Sequence, residues 1–158
     1  MIKIKEDYKR IGYMKISIDE QAQLRARAKK ELDRLEEVMS DKQIMQLLDK
    51  YKNKFNLCES TYKVVLAEHQ LKTKGEEPTQ LKLQMTQAPF AMAFAGYNID
   101  RDLLNRLFGA RCDKGRTAKK LRDAVTHNLE QTAIDEIEAR QSELFADMDA
   151  FLEIIRAA

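Results

Sequence analysis

The run Leu121-Arg-Asp-Ala-Val-Thr-His-Asn-Leu129 holds the side chains best suited to chemistry, an arginine and a histidine separated by four residues. A histidine ordinarily titrates near neutral pH and can take or give a proton. An arginine stays charged, and its planar fork matches the geometry of a phosphate. On a helix turning about 100° per residue, Leu121, Val125 and Leu129 mark the core direction. Arg122 then lies about 60° to one side of Val125, while His127 and Asp123 lie about 160° away in opposite senses. Asp123 and His127 are thus neighbours on the face opposite the core. With neither Arg122 nor His127 aimed into the core, replacing either is expected to leave folding nearly intact. The plain alternative is a solvated pair that stabilises its helix by a few tenths of a kcal/mol.

Other groups offer less. The loop Gly109-Ala-Arg-Cys-Asp-Lys-Gly115-Arg-Thr117 approaches a phosphate-binding loop, but its glycines are one residue too far apart and Arg116 stands where lysine is required. The helix start at Thr117 still has amides that suit a phosphate. His69 falls near the apolar stripe of Tyr62 and Leu66 and reads as a core or boundary histidine. Cys58, on the same stripe, reads as a small core residue. Cys112 lies in a basic loop with no histidine nearby in sequence to act as its base, and reads as an ordinary thiol. With two His, two Cys, no CxxC and no HExxH, there is little material for a zinc site, so neither a metal nor a cofactor is expected.

Arg122-Asp123-Ala-Val-Thr-His127 resembles the Arg-x4–6-His motif of the HEPN superfamily, in which the residue after the arginine is typically Asn, Asp or His. The resemblance covers about residues 55–156 in architecture and about nine residues in sequence, Leu121 and Asn128 included. It implies a small helical bundle of four to five core helices, with the motif on the penultimate one and a long amphipathic helix after it. It also implies a metal-independent endoribonuclease, toxin- or defence-like, that forms a two-fold homodimer with both motifs at the interface and leaves a 2′,3′-cyclic phosphate. Arg122 would stabilise the phosphate charge and His127 would move the proton. Asp123 would orient both, and Asn128 is a weaker member of the site. Arg122 and His127 lie about 140° apart on an ideal helix, so residues from both copies are expected to complete the site. Arg111, Lys114, Arg116, Lys119 and Lys120 would gather the RNA backbone. An antitoxin or other protein partner is compatible with the family. The subgroup paired with a nucleotidyltransferase antitoxin carries a tyrosine two residues after the histidine, where this chain has Leu129. Some relatives lack activity, so a non-catalytic helical dimerisation or adaptor module that binds RNA, nucleotide or protein is the alternative. An unrelated helical binding protein is a third class.

The elements that must position these residues are helical. The chain has 158 residues, 44% of them hydrophobic, with only 5 Gly and 2 Pro. That suits one domain with a real core and argues against a turn-rich β protein. No apolar run approaches the length of a membrane span, no secretory signal is visible, and the cysteines read as cytosolic thiols. The expected fold is an all-α bundle over residues 19–158 with an extra N-terminal helix. Residues 1–18 form an arm or hairpin, from the alternation of Ile2 and Ile4 and of Met14, Ile16 and Ile18 around Gly12. Ser17-x-x-Glu20 is a capping-box pattern, and Leu24, Ala28, Leu32, Leu35 and Met39 follow as a stripe. Ser40-x-x-Gln43 offers a second cap. A longer stripe from Ile44 to Leu66 runs on to about Lys74, with Asn53 and Asn56 leaving open whether it is one helix or two. A loop at Gly75–Pro78 and a short helix at Thr79–Thr86 are expected, then a helix from Asp100 to Phe108 stopped by Gly109, one from Thr117, and a last one from near Thr132. Residues 111–129 carry six Lys/Arg against two Asp, and residues 130–158 carry eight acids against Arg140 and Arg156. Such blocks either bind an anion or pair with each other.

Overall fold

A computed structural model describes residues 8–11, 14–74 and 92–158, and the chain is mostly helical. The loop at Gly75–Pro78 and the short helix at Thr79–Thr86 fall outside the described residues. An antiparallel hairpin joins β1 (Tyr8–Ile11) to β2 (Met14–Ser17), with Tyr8 opposite Ser17 and Ile11 opposite Met14. Five helices follow: α1 (Ile18–Ser40), α2 (Lys42–Lys74), α3 (Arg101–Phe108), α4 (Ala118–Asn128) and α5 (Gln131–Ala157). None is long and apolar enough to cross a membrane among the described residues. The chain divides into two compact units, one up to Met45 and one from Gln46 onward.

The helix starts follow the side chains that can satisfy first-turn amides. Ser17 caps α1 by accepting from the Glu20 amide at 3.1 Å. Asp100 caps α3, accepting from the Asp102 amide at 2.7 Å. Thr117 caps α4, accepting from the Lys120 amide at 3.3 Å, while its hydroxyl donates to the Gly109 carbonyl at 2.9 Å. The second cap is shifted by one residue from the Ser40 expectation. Asp41 accepts from the Ile44 amide at 3.1 Å, and the Ser40 hydroxyl turns back to the Glu37 carbonyl. α2 is one continuous helix. Asn53 and Asn56 are both exposed, so neither side chain competes for the ladder inside the core.

The second unit has one core. Leu48, Tyr51, Phe55, Cys58, Tyr62 and Leu66 of α2 are buried with Leu104 and Leu107 of α3, Leu121 and Val125 of α4, and Ile134, Ile137, Leu144, Met148 and Phe151 of α5. Phe108 stacks on Tyr62 with ring centres 4.3 Å apart and meets Phe151 edge-on at 5.3 Å. The buried Tyr51 hydroxyl donates to the Ala118 carbonyl at 2.9 Å, tying α2 to the start of α4. Burial pushes the Cys58 thiol up to about 12, in keeping with an inert core cysteine whose Sγ lies 3.6 Å from the Met148 carbonyl.

α4 ends on Leu129, a non-glycine residue in the left-handed region (φ 49°, ψ 48°), whose amide is bonded back to Val125. α5 departs from helical geometry at Arg140 (φ −113°, ψ 15°), where the 109–117 loop docks. Gly115 in that loop has φ +123°, and a β-carbon there would stand 2.5 Å from Glu136 and 2.9 Å from Arg140. Both the backbone and the space call for glycine. Gly115→Ala is expected to lower stability by about 1–3 kcal/mol. Gly96→Ala, with nothing within 4 Å of its β-carbon, should stay within about 0.5 kcal/mol. Urea unfolding of the two variants measures the difference.

Candidate functional site

The motif helix α4 presents its two chemical side chains in different environments. Arg122 lies over α2. Its side chain keeps 14% of its exposure, and its guanidinium carbon sits 4.8 Å from the centre of the Phe55 ring. Glu59 grips the fork from α2, accepting from Nη1 at 2.9 Å and from Nη2 at 3.1 Å. Asp123 accepts from Nε at 2.8 Å, and Asn56 Oδ1 accepts from Nη1. Among the described residues, four of the five guanidinium N–H groups are so engaged, and one on Nη2 has no acceptor. The wheel placed Arg122 on the flank of the core stripe, and the structure turns that flank into a helix–helix contact. The sequence expectation that Arg122 has no part in folding is therefore corrected: a sequestered carboxylate depends on it.

His127 and Asn128 occupy the exposed last turn of α4. Asp123 is half-buried between Arg122 and Lys119, whose Nζ lies 3.2 Å from Oδ2. Its salt links thus run to these two cations. Burial pushes the Asp123 carboxyl upward, but the hydrogen bonds from Arg122 and Lys119 outweigh it and hold the group below the usual aspartate range. Glu59 and Asn56 are the residues the sequence reading missed. Both lie on one face of α2, three residues apart, and an acid near an apolar stripe was the available signal.

The basic run divides. Arg116 faces the last helix, donating from Nε to Glu136 at 2.9 Å, from Nη1 to Glu130 at 2.8 Å and from its amide to Glu136 at 2.9 Å. Arg140 bonds the Arg116 carbonyl at 2.9 Å and also Glu136 and Glu143, and Lys114 reaches Glu143 at 3.9 Å. The basic and acidic blocks therefore pair with each other through Arg116 and Lys114, where the RNA reading needs them turned outward. Lys119 is paired within α4, while Arg111 and Lys120 stand exposed. The Arg116 amide, just before the start of α4, donates to Glu136. Cys112 donates from Sγ to the Gly115 carbonyl at 3.2 Å, as an ordinary turn thiol. His69 is half-buried and lines a cleft of about 180 Å³ with Val65, Glu68, Ala93 and Tyr97.

Comparison with known proteins adds no relative: the chain matches no family model, no curated protein and no solved structure.

Two outcomes follow from this geometry. Arg122→Ala leaves the Glu59 carboxylate, which keeps only 13% of its side-chain exposure, with Lys63 at 3.9 Å as its remaining cation, and is expected to destabilise the chain by about 1–3 kcal/mol. His127→Ala should stay within about 0.5 kcal/mol, and thermal unfolding of both variants checks the contrast. The second outcome concerns acid. Burial pushes the Glu136 carboxyl up, yet hydrogen bonds from the Arg116 side chain and amide and from Arg140 hold it below the usual glutamate value. Folding thus favours the charged form. Its contribution is complete above the unfolded pKa of about 4.3 and is lost as pH falls through the lower folded value. Glu136→Gln should lower stability at pH 7 and flatten the loss of stability below about pH 5, as read by denaturant titration across pH.

Proposed function

We propose that the chain is a metal-independent endoribonuclease of the HEPN type, acting as a two-fold homodimer with a composite site. The observation that carries this reading is the pairing on one short helix of a held Arg122, with one donor open among the described residues, and an exposed His127 with no core role. A fixed N–H of this kind can donate to a phosphate oxygen as a phosphorane forms, while Glu59 and Asp123 offset the charge of the guanidinium. In the proposed reaction the RNA 2′-oxygen attacks the adjacent phosphorus and the bond to the 5′-oxygen breaks. One imidazole takes the 2′-hydroxyl proton, and a protonated one supplies the 5′-oxygen. The products are a 2′,3′-cyclic phosphate and a 5′-hydroxyl. Asp123 holds Arg122, and Asn128 stands beside His127. Arg111 and Lys120 are the members of the basic run best placed to draw in the backbone. The exposed Leu57 and Val64 of α2 supply apolar surface on the helix that grips Arg122, which favours a partner copy there.

A second reading has its own observation. Arg122 is engaged so fully by Glu59, Asp123 and Asn56 that the motif also serves as a packing device, which favours the non-catalytic dimerisation or adaptor module. Incubating total RNA in chelator with wild-type, Arg122→Lys and His127→Ala protein separates the two. The nuclease reading expects ends bearing 2′,3′-cyclic phosphate and a loss of roughly a hundredfold or more in His127→Ala, whose fold is expected to stay intact. Cleavage by His127→Ala at the wild-type rate, or activity abolished by chelator, overturns the mechanism. No cleavage by a folded wild-type dimer favours the adaptor.

A further inference from the structure

The first unit contains a helix whose apolar stripe is mostly exposed, with Leu35 half-buried. On α1, Leu24, Ala28, Leu32, Leu35 and Met39 fall within an arc of about 80°. Leu24 is 43% exposed, Leu32 56% and Met39 61%. Among the described residues, the hairpin meets the same stripe near its start, where buried Gln21 donates to the Ile16 carbonyl at 3.2 Å. A 23-residue helix gains most of its stability in water by covering such a stripe.

The stripe is nearly symmetric about Leu32. Reversing a second α1 against the first, with the two-fold axis beside Leu32, sets Leu24 against Met39, Ala28 against Leu35 and Leu32 against itself. The flanking charges fit the same axis. On one flank stand Arg25 and Lys29, with Glu36 further on. The axis brings the other copy's glutamate opposite residue 28, between the two cations and within about 5 Å of each along the helix axis. On the other flank Glu31 already pairs with Arg34 at 2.7 Å. Reversal brings the other copy's arginine to within about 3 Å of Glu31 along the axis, so the charges alternate.

We propose that α1 is a self-association surface that takes a second copy of this chain in antiparallel register centred on Leu32. This contact is separate from the α4 motif and does not depend on the nuclease reading. Five seam residues per helix place it at the small end of specific interfaces, about 1,000 Å² in total. Pairing is therefore expected at micromolar concentration rather than far below it.

The 158-residue chain with Cys112→Ser, leaving only the buried Cys58, provides the test through single cysteines on α1. Leu32→Cys should form a disulfide dimer under mild oxidation. Leu24→Cys and Met39→Cys should each fail to crosslink alone and should crosslink when mixed. Ready crosslinking of Leu24→Cys with itself means a parallel pair, and no crosslink at any position means the stripe takes another occupant. Either result overturns the proposal. Sedimentation checks the charges independently of cysteine chemistry. Glu36→Arg should weaken the crosslink-competent association tenfold or more, and Arg25→Glu with Lys29→Glu should restore it in the Glu36→Arg background. An association unmoved by Glu36→Arg also overturns the register. His127→Ala, which tests the nuclease reading, should leave every one of these results unchanged.

Discussion

The two-pronged bond between Arg122 and Glu59 fixes where the candidate chemistry can happen. α4 has 11 residues, too few to hold a helix in water alone. Leu121 and Val125 bury one side of it, and Tyr51 anchors its first turn. Apolar burial leaves rotation of the helix loosely specified, because it has no direction of its own. The fork does have one: two parallel N–H donors on Arg122 meet the two carboxylate oxygens of an α2 residue. Phe55 beneath the guanidinium and Asp123 beside it keep the plane of the fork from turning. The outward direction of His127 is then a result of where Arg122 is tied down.

A second set of charges performs the same task for the loop before α4. Glu136 accepts from the Arg116 side chain and amide and from Arg140 of its own helix, so one carboxylate on α5 ties down the end of the loop. The fully buried Thr117 adds the bond to Gly109. Between the two C-terminal blocks, Arg116 and Lys114 are tied to Glu130, Glu136 and Glu143. The surface left for a polyanion is narrower than the basic composition suggests.

Much of the fold is legible in the residues, because helix ends are local. Ser17, Asp100, Gly109 and Thr117 each announce a boundary through a side chain or space that acts within a few positions. Gly109 stops α3 for a steric reason rather than a conformational one: its φ is −76°, and a β-carbon would collide with Asn105. The cap at Asp41 was off by one because Ser40 and Asp41 are both competent and only the geometry of the turn selects between them. The site was legible in part. A helical wheel gives the direction in which Arg122 points, but not which helix waits there, and Glu59 is 63 residues away. The pairing of Arg116 with α5 was foreshadowed by the charge blocks, whose two possible uses the sequence left open.

The junction after α4 has a mechanical consequence. Only Leu129 and Glu130 separate α4 from α5, and the amides of both are bonded back to Ala124 or Val125. Leu129 sits in a left-handed conformation that costs an ordinary residue about 1–2 kcal/mol. It persists because the helices on either side dictate it. Such a junction has no slack. It behaves as a welded corner rather than a hinge, so a tilt of the N-terminal half of α5 carries the last turn of α4 with it. The imidazole of His127 is therefore steered by whatever grips α5.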